Sequence, residues 1–179
     1  MAKKILIGVG AVLAIFLVVV AMQPSTFRIE RSATMAAPAA DVFAQVNDFH
    51  KWEAWSPWAK LDPAAKNTFD GPASGVGAGF AWEGNDQVGV GRMTITESKP
   101  AERIAIKLEF LKPFASIAAT EYTFKGDGKQ TTMTWAMTGE KNFVSKMMCL
   151  FMNMDKMVGG QFETGLASIK GIVEAPPKK

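Results

Sequence analysis

Residues 47–63 read NDFHKWEAWSPWAKLDP, and three of the five tryptophans of the chain, Trp52, Trp55 and Trp58, stand there at a spacing of three. A short helical pattern precedes the stretch and strand-like segments follow it. It therefore reads as a hydrophobic plug that closes one end of a β-rich domain, with the tryptophans packing short helices against that end. The segments on either side decide what kind of domain it closes.

Upstream, Phe27–Met35 (FRIERSATM) alternates Phe27, Ile29 and Arg31 against Arg28, Glu30 and Ser32, the period of a strand. Pro38 suits the first position of a helix, where its missing N–H is no loss. The helix AADVFAQV then gathers Val42, Phe43 and Val46 on one side, and a further helical turn carries Phe49, Trp52 and Trp55. Pro57 and Pro63 end that region.

Downstream, Gly77–Glu83 and Val88–Ser98 read as strands split by the turn Gly84-Asn85-Asp86. In Glu102–Phe110 the apolar residues Ile104, Ile106, Leu108 and Phe110 alternate with Arg103, Ala105, Lys107 and Glu109. Ser116–Lys125 and Gln130–Thr138 are joined by Gly126-Asp127-Gly128, a tight hairpin signal. Strands linked this closely are antiparallel, because a parallel return needs a crossover of about a dozen residues.

From Asn142 to Glu174 the period changes. Phe143, Met147, Leu150, Met154, Val158, Phe162, Leu166, Ile169 and Val173 recur at steps of three and four, one apolar stripe on a long helix. Gly159-Gly160 predicts a kink or break within it, at about 1 kcal/mol per glycine relative to alanine. Pro176-Pro177 ends it, leaving 175–179 as a flexible tail. The order of elements predicts an α+β domain in which one long helix covers one face of an antiparallel sheet.

The N-terminus is a separate unit, residues 1–24. Ile5–Met22 holds eighteen residues without a charge, about 27 Å as a helix, close to the roughly 30 Å of a bilayer's hydrocarbon core. A retained anchor, a cleaved signal peptide and a buried core helix compete. The last is weakest, because the segment is apolar on every face and Pro24 follows it. An anchor is favoured over a signal peptide, whose apolar region runs about 7–15 residues. Lys3 and Lys4 place the N-terminus in the cytoplasm and the domain outside it by the positive-inside rule, although Arg28 and Arg31 on the other flank make the bias slight.

The sequence pI of about 9.0 invites a nucleic-acid reading. Without Lys3 and Lys4, however, eighteen basic face seventeen acidic residues with no basic block, so there is no footprint for phosphate backbones. His50 is the single histidine and Cys149 the single cysteine, which excludes an intramolecular disulfide and leaves no metal-ligand set. His50 reads as a surface or helix-end residue, and Cys149, in MMCLFMNM, as a small buried hydrophobe. Glu83, Glu97, Glu109 and Glu121 are scattered over strands, most of them on the solvent face, without a pair suited to acid/base work. Gly75, Gly77 and Gly79 do not match a phosphate-loop spacing and are better explained as turn or bulge glycines. Catalytic residues and a cofactor are thus not indicated, and an enzymatic role is left open but disfavoured.

AAPAADVFAQVNDFHKWEAWSPW near the start, GVGRMTITESKPAERI in the middle and MVGGQFETGLASIKG near the end together resemble the polyketide cyclase/dehydrase and lipid-transport branch of the START-like, helix-grip (SRPBCC) superfamily. The resemblance covers residues 27–174. It implies a curved antiparallel sheet wrapped around the long C-terminal helix, with an internal pocket for lipids, polyketides or other apolar molecules. The same fold serves cyclases, hydrolases and activators of chaperone ATPases, so the site has to decide. Expected pocket walls are Phe80, Trp82, Met93, Ile106, Leu108, Tyr122, Met133 and Trp135 from the sheet and Phe162 and Leu166 from the helix. Tyr122 and Arg92 are the polar groups placed to orient a ligand head. Met147, Met148, Met152, Met154 and Met157 suit either a pliable pocket or ordinary core.

The leading expectation is a single-pass, membrane-anchored domain that binds a hydrophobic small molecule between sheet and C-terminal helix. A cyclase, dehydratase or hydrolase is the alternative, and a protein-interaction or chaperone-like module a second one. An exposed apolar patch in place of an enclosed pocket would mark the last.

Overall fold

The computed structural model describes residues 2–176, so the tail residues 177–179 lie outside it. Seven strands form one antiparallel sheet: β1 (Thr26–Met35), β2 (Lys66–Asp70), β3 (Gly79–Glu83), β4 (Val90–Lys99), β5 (Arg103–Lys112), β6 (Ser116–Gly126) and β7 (Thr131–Glu140). Their spatial order is β1-β7-β6-β5-β4-β3-β2, so every neighbour except β1 beside β7 is also a neighbour in sequence. The helices are α1 (Ala2–Met22), α2 (Ala39–Val46), α3 (Phe143–Cys149) and α4 (Met154–Val173), with 3-10 turns at Phe49–Ala54 and Trp58–Lys60. This is the curved, open helix-grip arrangement expected.

The register defines which residues share the inner, concave face. Ile104 pairs with Tyr122, Tyr122 with Trp135 and Trp135 with Arg31, so these side chains lie side by side across β5, β6, β7 and β1. Toward the other edge Leu108 pairs with Met93 and Met93 with Phe80. The alternation read in β1 and β5 is therefore the true inside–outside pattern. β2 was not legible, because all five of its residues are exposed and Lys-Asn-Thr-Phe-Asp offers no apolar alternation. As an edge strand it pairs with β3 alone, and Phe69 adds ring contacts to His50 and Phe80.

The C-terminal stripe differs from expectation in one respect. It is two helices, and the break falls at residues 150–153, whereas α4 runs unbroken through Gly159-Gly160. Asn153 starts α4 by accepting a hydrogen bond from the Lys156 N–H, an N-cap that fixes where the helix begins. Gly159 has a packing reason. The Arg31 guanidinium occupies the place where its Cβ would stand.

Arg31 is the clasp that fixes α4 to the edge strand. Its Nε donates to Glu163 at 2.7 Å, its Nη2 to the Asp155 carboxylate at 2.9 Å and to the Asp155 carbonyl at 3.1 Å. Its Nη1 donates to Asp155 Oδ1 at 3.1 Å and the Glu30 carbonyl at 2.8 Å, which engages all the donors a guanidinium has. Those bonds hold the Asp155 carboxyl below its usual range. At the other end of α4, Lys170 donates to the Thr34 carbonyl and Glu174 accepts from the Ala36 N–H.

Helix α1 is long and apolar enough to cross a membrane, a property it shares with signal sequences. Val20 is buried, and the Phe16 ring lies 6.4 Å from that of Phe151, so its C-terminal turns rest beside α3.

Candidate functional site

The segment that carries the tryptophans runs along the inner face. Three residues per turn in a 3-10 helix superimpose positions three apart, and Phe49, Trp52 and Trp55 accordingly all turn inward and are buried. Asp48 caps the turn through the His50 N–H. Trp52 Nε1 donates to the Val46 carbonyl at 2.9 Å and Trp55 Nε1 to the Gln45 carbonyl at 3.0 Å, so neither ring leaves an orphan donor. Farther on, Asp62 accepts from the Asn85 N–H at 2.7 Å, which ties the end of the segment to the β3–β4 turn.

The aromatic contacts make the middle of the grip solid. Trp55 packs edge-on to Trp135 at 5.7 Å, Trp52 edge-on to Tyr122 at 6.1 Å, and Phe162 of α4 stacks on Trp135 at 4.1 Å. Trp58, only half-buried, lies over both Trp135 and Phe162. Gly165 lets α4 come this close, because a Cβ there would meet the Trp135 ring at 2.8 Å.

Two polar atoms in this packing have no partner: Tyr122 Oη and Trp135 Nε1. They belong to directly paired residues on β6 and β7 whose rings are 5.1 Å apart, and both side chains are buried. Burial pushes the Tyr122 hydroxyl well above its ordinary pKa, so it stays a protonated donor. Leaving a buried donor unpaired costs about 1–3 kcal/mol. Among the described residues, this pair is the one place on the inner face where buried donors stand unpartnered.

Of the expected pocket walls, Ile106, Leu108, Tyr122, Met133 and Trp135 are buried on the inner face, and Phe162 and Leu166 meet it from α4. Phe80, Trp82 and Met93 lie on the same face but only half-buried, toward the open side. Arg92 is a correction. A strand alternates its faces, so with Met93 and Gly91 inward Arg92 points outward, where its Nε lies 3.3 Å from Glu109.

Near the end of the sheet where α1 joins it, the rings of the inner face are only half-buried. Phe110, two residues beyond Leu108 on the same face of β5, packs edge-on to Trp82 at 6.1 Å, and Phe27 extends the same surface on β1. Both were missed as lining residues although strand parity points to them. Glycines in the strands mark the spot as well. A Cβ on Gly91 would collide with the Trp82 ring and one on Gly139 with Phe27, so rings lie flat over backbone there.

Two surface cavities are lined by other residues. One of about 260 Å³ lies between Phe49, His50, Phe69 and the Asp70–Ala73 loop, where His50 stacks on Phe69 at 4.2 Å. Another of about 360 Å³ lies between the β3–β4 turn and Lys112-Pro113. Among the described residues no group of three or more His, Cys, Asp or Glu side chains could hold a metal ion.

The geometry agrees with what the chain is similar to. A protein from Chromobacterium violaceum superimposes with a TM-score of 0.60 at 15% identity, over 86% of this chain and 100% of its own. The di-domain ARO/CYC protein BexL from the BE-7585A biosynthetic pathway gives 0.61 at 16%, over 89% of this chain and 53% of its own length. The Aha1 dimer from Colwellia psychrerythraea gives 0.59 at 13%, over 85% of this chain and 99% of its own. At these identities the likeness is one of fold. No curated protein matches the chain. The family described as "polyketide cyclase / dehydrase and lipid transport" matches residues 26–174, the whole of the sheet and α4, and the chain belongs to that family.

Proposed function

We propose that the protein is a membrane-anchored binding domain for an apolar small molecule that carries a hydrogen-bond acceptor such as a carbonyl. The observation that carries the reading is the unpartnered pair Tyr122 Oη and Trp135 Nε1, two donors aimed from neighbouring strands into an otherwise apolar interior. The apolar body of the ligand lies over Trp82, Met93, Leu108 and Phe110. Its acceptor takes both donors once Trp58, the least buried of the three clustered tryptophans, swings aside. Apolar walls with a few convergent polar groups are what small-molecule sites require. Tyr122, held neutral by burial, suits binding and orienting a carbonyl better than giving up a proton.

The test uses the full chain purified alongside a Tyr122→Phe, Trp82→Ala double variant. Organic extracts of both are compared by mass spectrometry. An apolar, acceptor-bearing molecule enriched in the wild-type extract is expected. Identical extracts would sink the reading.

A further inference from the structure

We infer that the end of the domain next to α1 inserts into the bilayer as an apolar collar, so that the open side of the grip faces lipid. This rests on the proposal that α1 is a membrane anchor, and it names the bilayer as the source of the ligand.

The register puts the parts at one end. Thr26 pairs with Glu140, Ala118 with Gly139 and Phe110 with Ser116, so the exit of α1, the start of α3 and the β5–β6 hairpin share that end of the sheet. Apolar side chains stand out from it: Leu111, Phe114 and Ile117 around the hairpin, and Phe143, Val144 and Phe151 around α3, with Phe114 62% and Phe151 77% exposed. A water-facing surface has no reason to gather aromatics in this way.

The occupant follows from depth. Phe151 rests against Phe16, six residues before the end of α1 at Met22, which is about 9 Å down the helix axis at 1.5 Å per residue. With α1 in a bilayer, Phe151 is carried to the depth at which interfacial apolar faces lie, about 5–10 Å. Lys146 of α3 reaches the Ala21 carbonyl at 3.5 Å, which sets its ammonium at the level where α1 leaves the membrane. A lysine at that level snorkels to the headgroups while the residues beyond it stay in acyl chains.

The experiment uses the full chain in phosphatidylcholine/phosphatidylglycerol nanodiscs, with Cys149→Ser as background. Single spin labels are placed at Phe151→Cys, Phe114→Cys and, at the opposite end of the sheet, Lys129→Cys. The labels at 151 and 114 are expected to be several-fold more accessible to oxygen, and several-fold less to a water-soluble nickel chelate, than the label at 129. Nickel access equal to that at 129 overturns the inference. So does loss of access to both quenchers, which would mean cover by protein, and so does departure of the chain from the discs. Protected labels combined with identical organic extracts would sink the ligand proposal while leaving the collar standing.

Discussion

The two halves of the inner face are built from the same residue types and behave in opposite ways. Beneath α4, Trp55, Tyr122, Trp135 and Phe162 interlock with almost no exposed surface. Toward α1, Phe80, Trp82, Met93 and Phe110 continue the apolar surface but remain half-buried, with only Phe80 reached by the 3-10 turn, through Phe49 at 5.8 Å. Aromatic content therefore does not distinguish core from binding surface. What distinguishes them is whether a second element covers the rings, and here the tryptophan segment and α4 cover one half only.

The largest expected effect tests the covered half. Trp55→Ala should lower stability by about 3–5 kcal/mol, the range for truncating a fully buried aromatic, measured by denaturant unfolding. Normal melting with lost ligand would instead move the tryptophans into the site. Met93→Ala should lower stability by only about 1 kcal/mol, because a half-buried side chain gives up part of its burial and leaves no closed cavity. Its main effect should be on ligand content.

Tyr122→Phe separates structure from binding within the covered half. In ligand-free protein, removing an unpaired hydroxyl should leave stability unchanged or raise it by about 1 kcal/mol. A clear loss of stability would show that the hydroxyl has a partner within the fold.

Two smaller effects depend on pH. The folded-state pKa of Asp155 is lowered by its bonds to Arg31. Its contribution is thus present above the unfolded value of about 4 and is lost as the pH falls through the lower folded value. Melting temperatures between neutral and acid pH should therefore fall less for Asp155→Asn than for the wild type. Tyr122 has the opposite sign. Its folded pKa is raised, so its contribution is present below about pH 10 and is lost as the pH rises through the folded value. Because Tyr122 is the single tyrosine, tyrosinate absorbance should appear together with loss of near-ultraviolet circular dichroism. Absorbance that rises first would show that water reaches the hydroxyl in the folded protein.

Much of this was legible because it rests on periodicity. The alternation around Ile104 and around Ile29 is dictated by which face is covered, and the step of three through Phe49, Trp52 and Trp55 is the step of a 3-10 helix. The missed parts have other causes. β2 is an edge strand exposed on both faces, so nothing in its composition had to alternate. The break before α4 is set by the cap at Asn153, and Gly159 answers to an arginine more than a hundred residues upstream in the chain, a contact no local pattern contains. Arg92 lies between the inward Gly91 and Met93, and one step along a strand reverses the face. Tyr122 was visible as a polar residue on an apolar face, but its missing partner becomes visible only once every neighbour is in place.

Between Met22, where α1 ends, and Thr26, where β1 begins, there are three residues. Fully extended they span about 10 Å. With α1 embedded as proposed, a domain tethered so closely would have no radius of action beyond its own membrane. It would not ferry cargo across an aqueous gap to a second bilayer as a freely diffusing carrier does. Its work would be confined to two dimensions, exchanging molecules with the leaflet it stands on or passing them to a neighbour in the same plane.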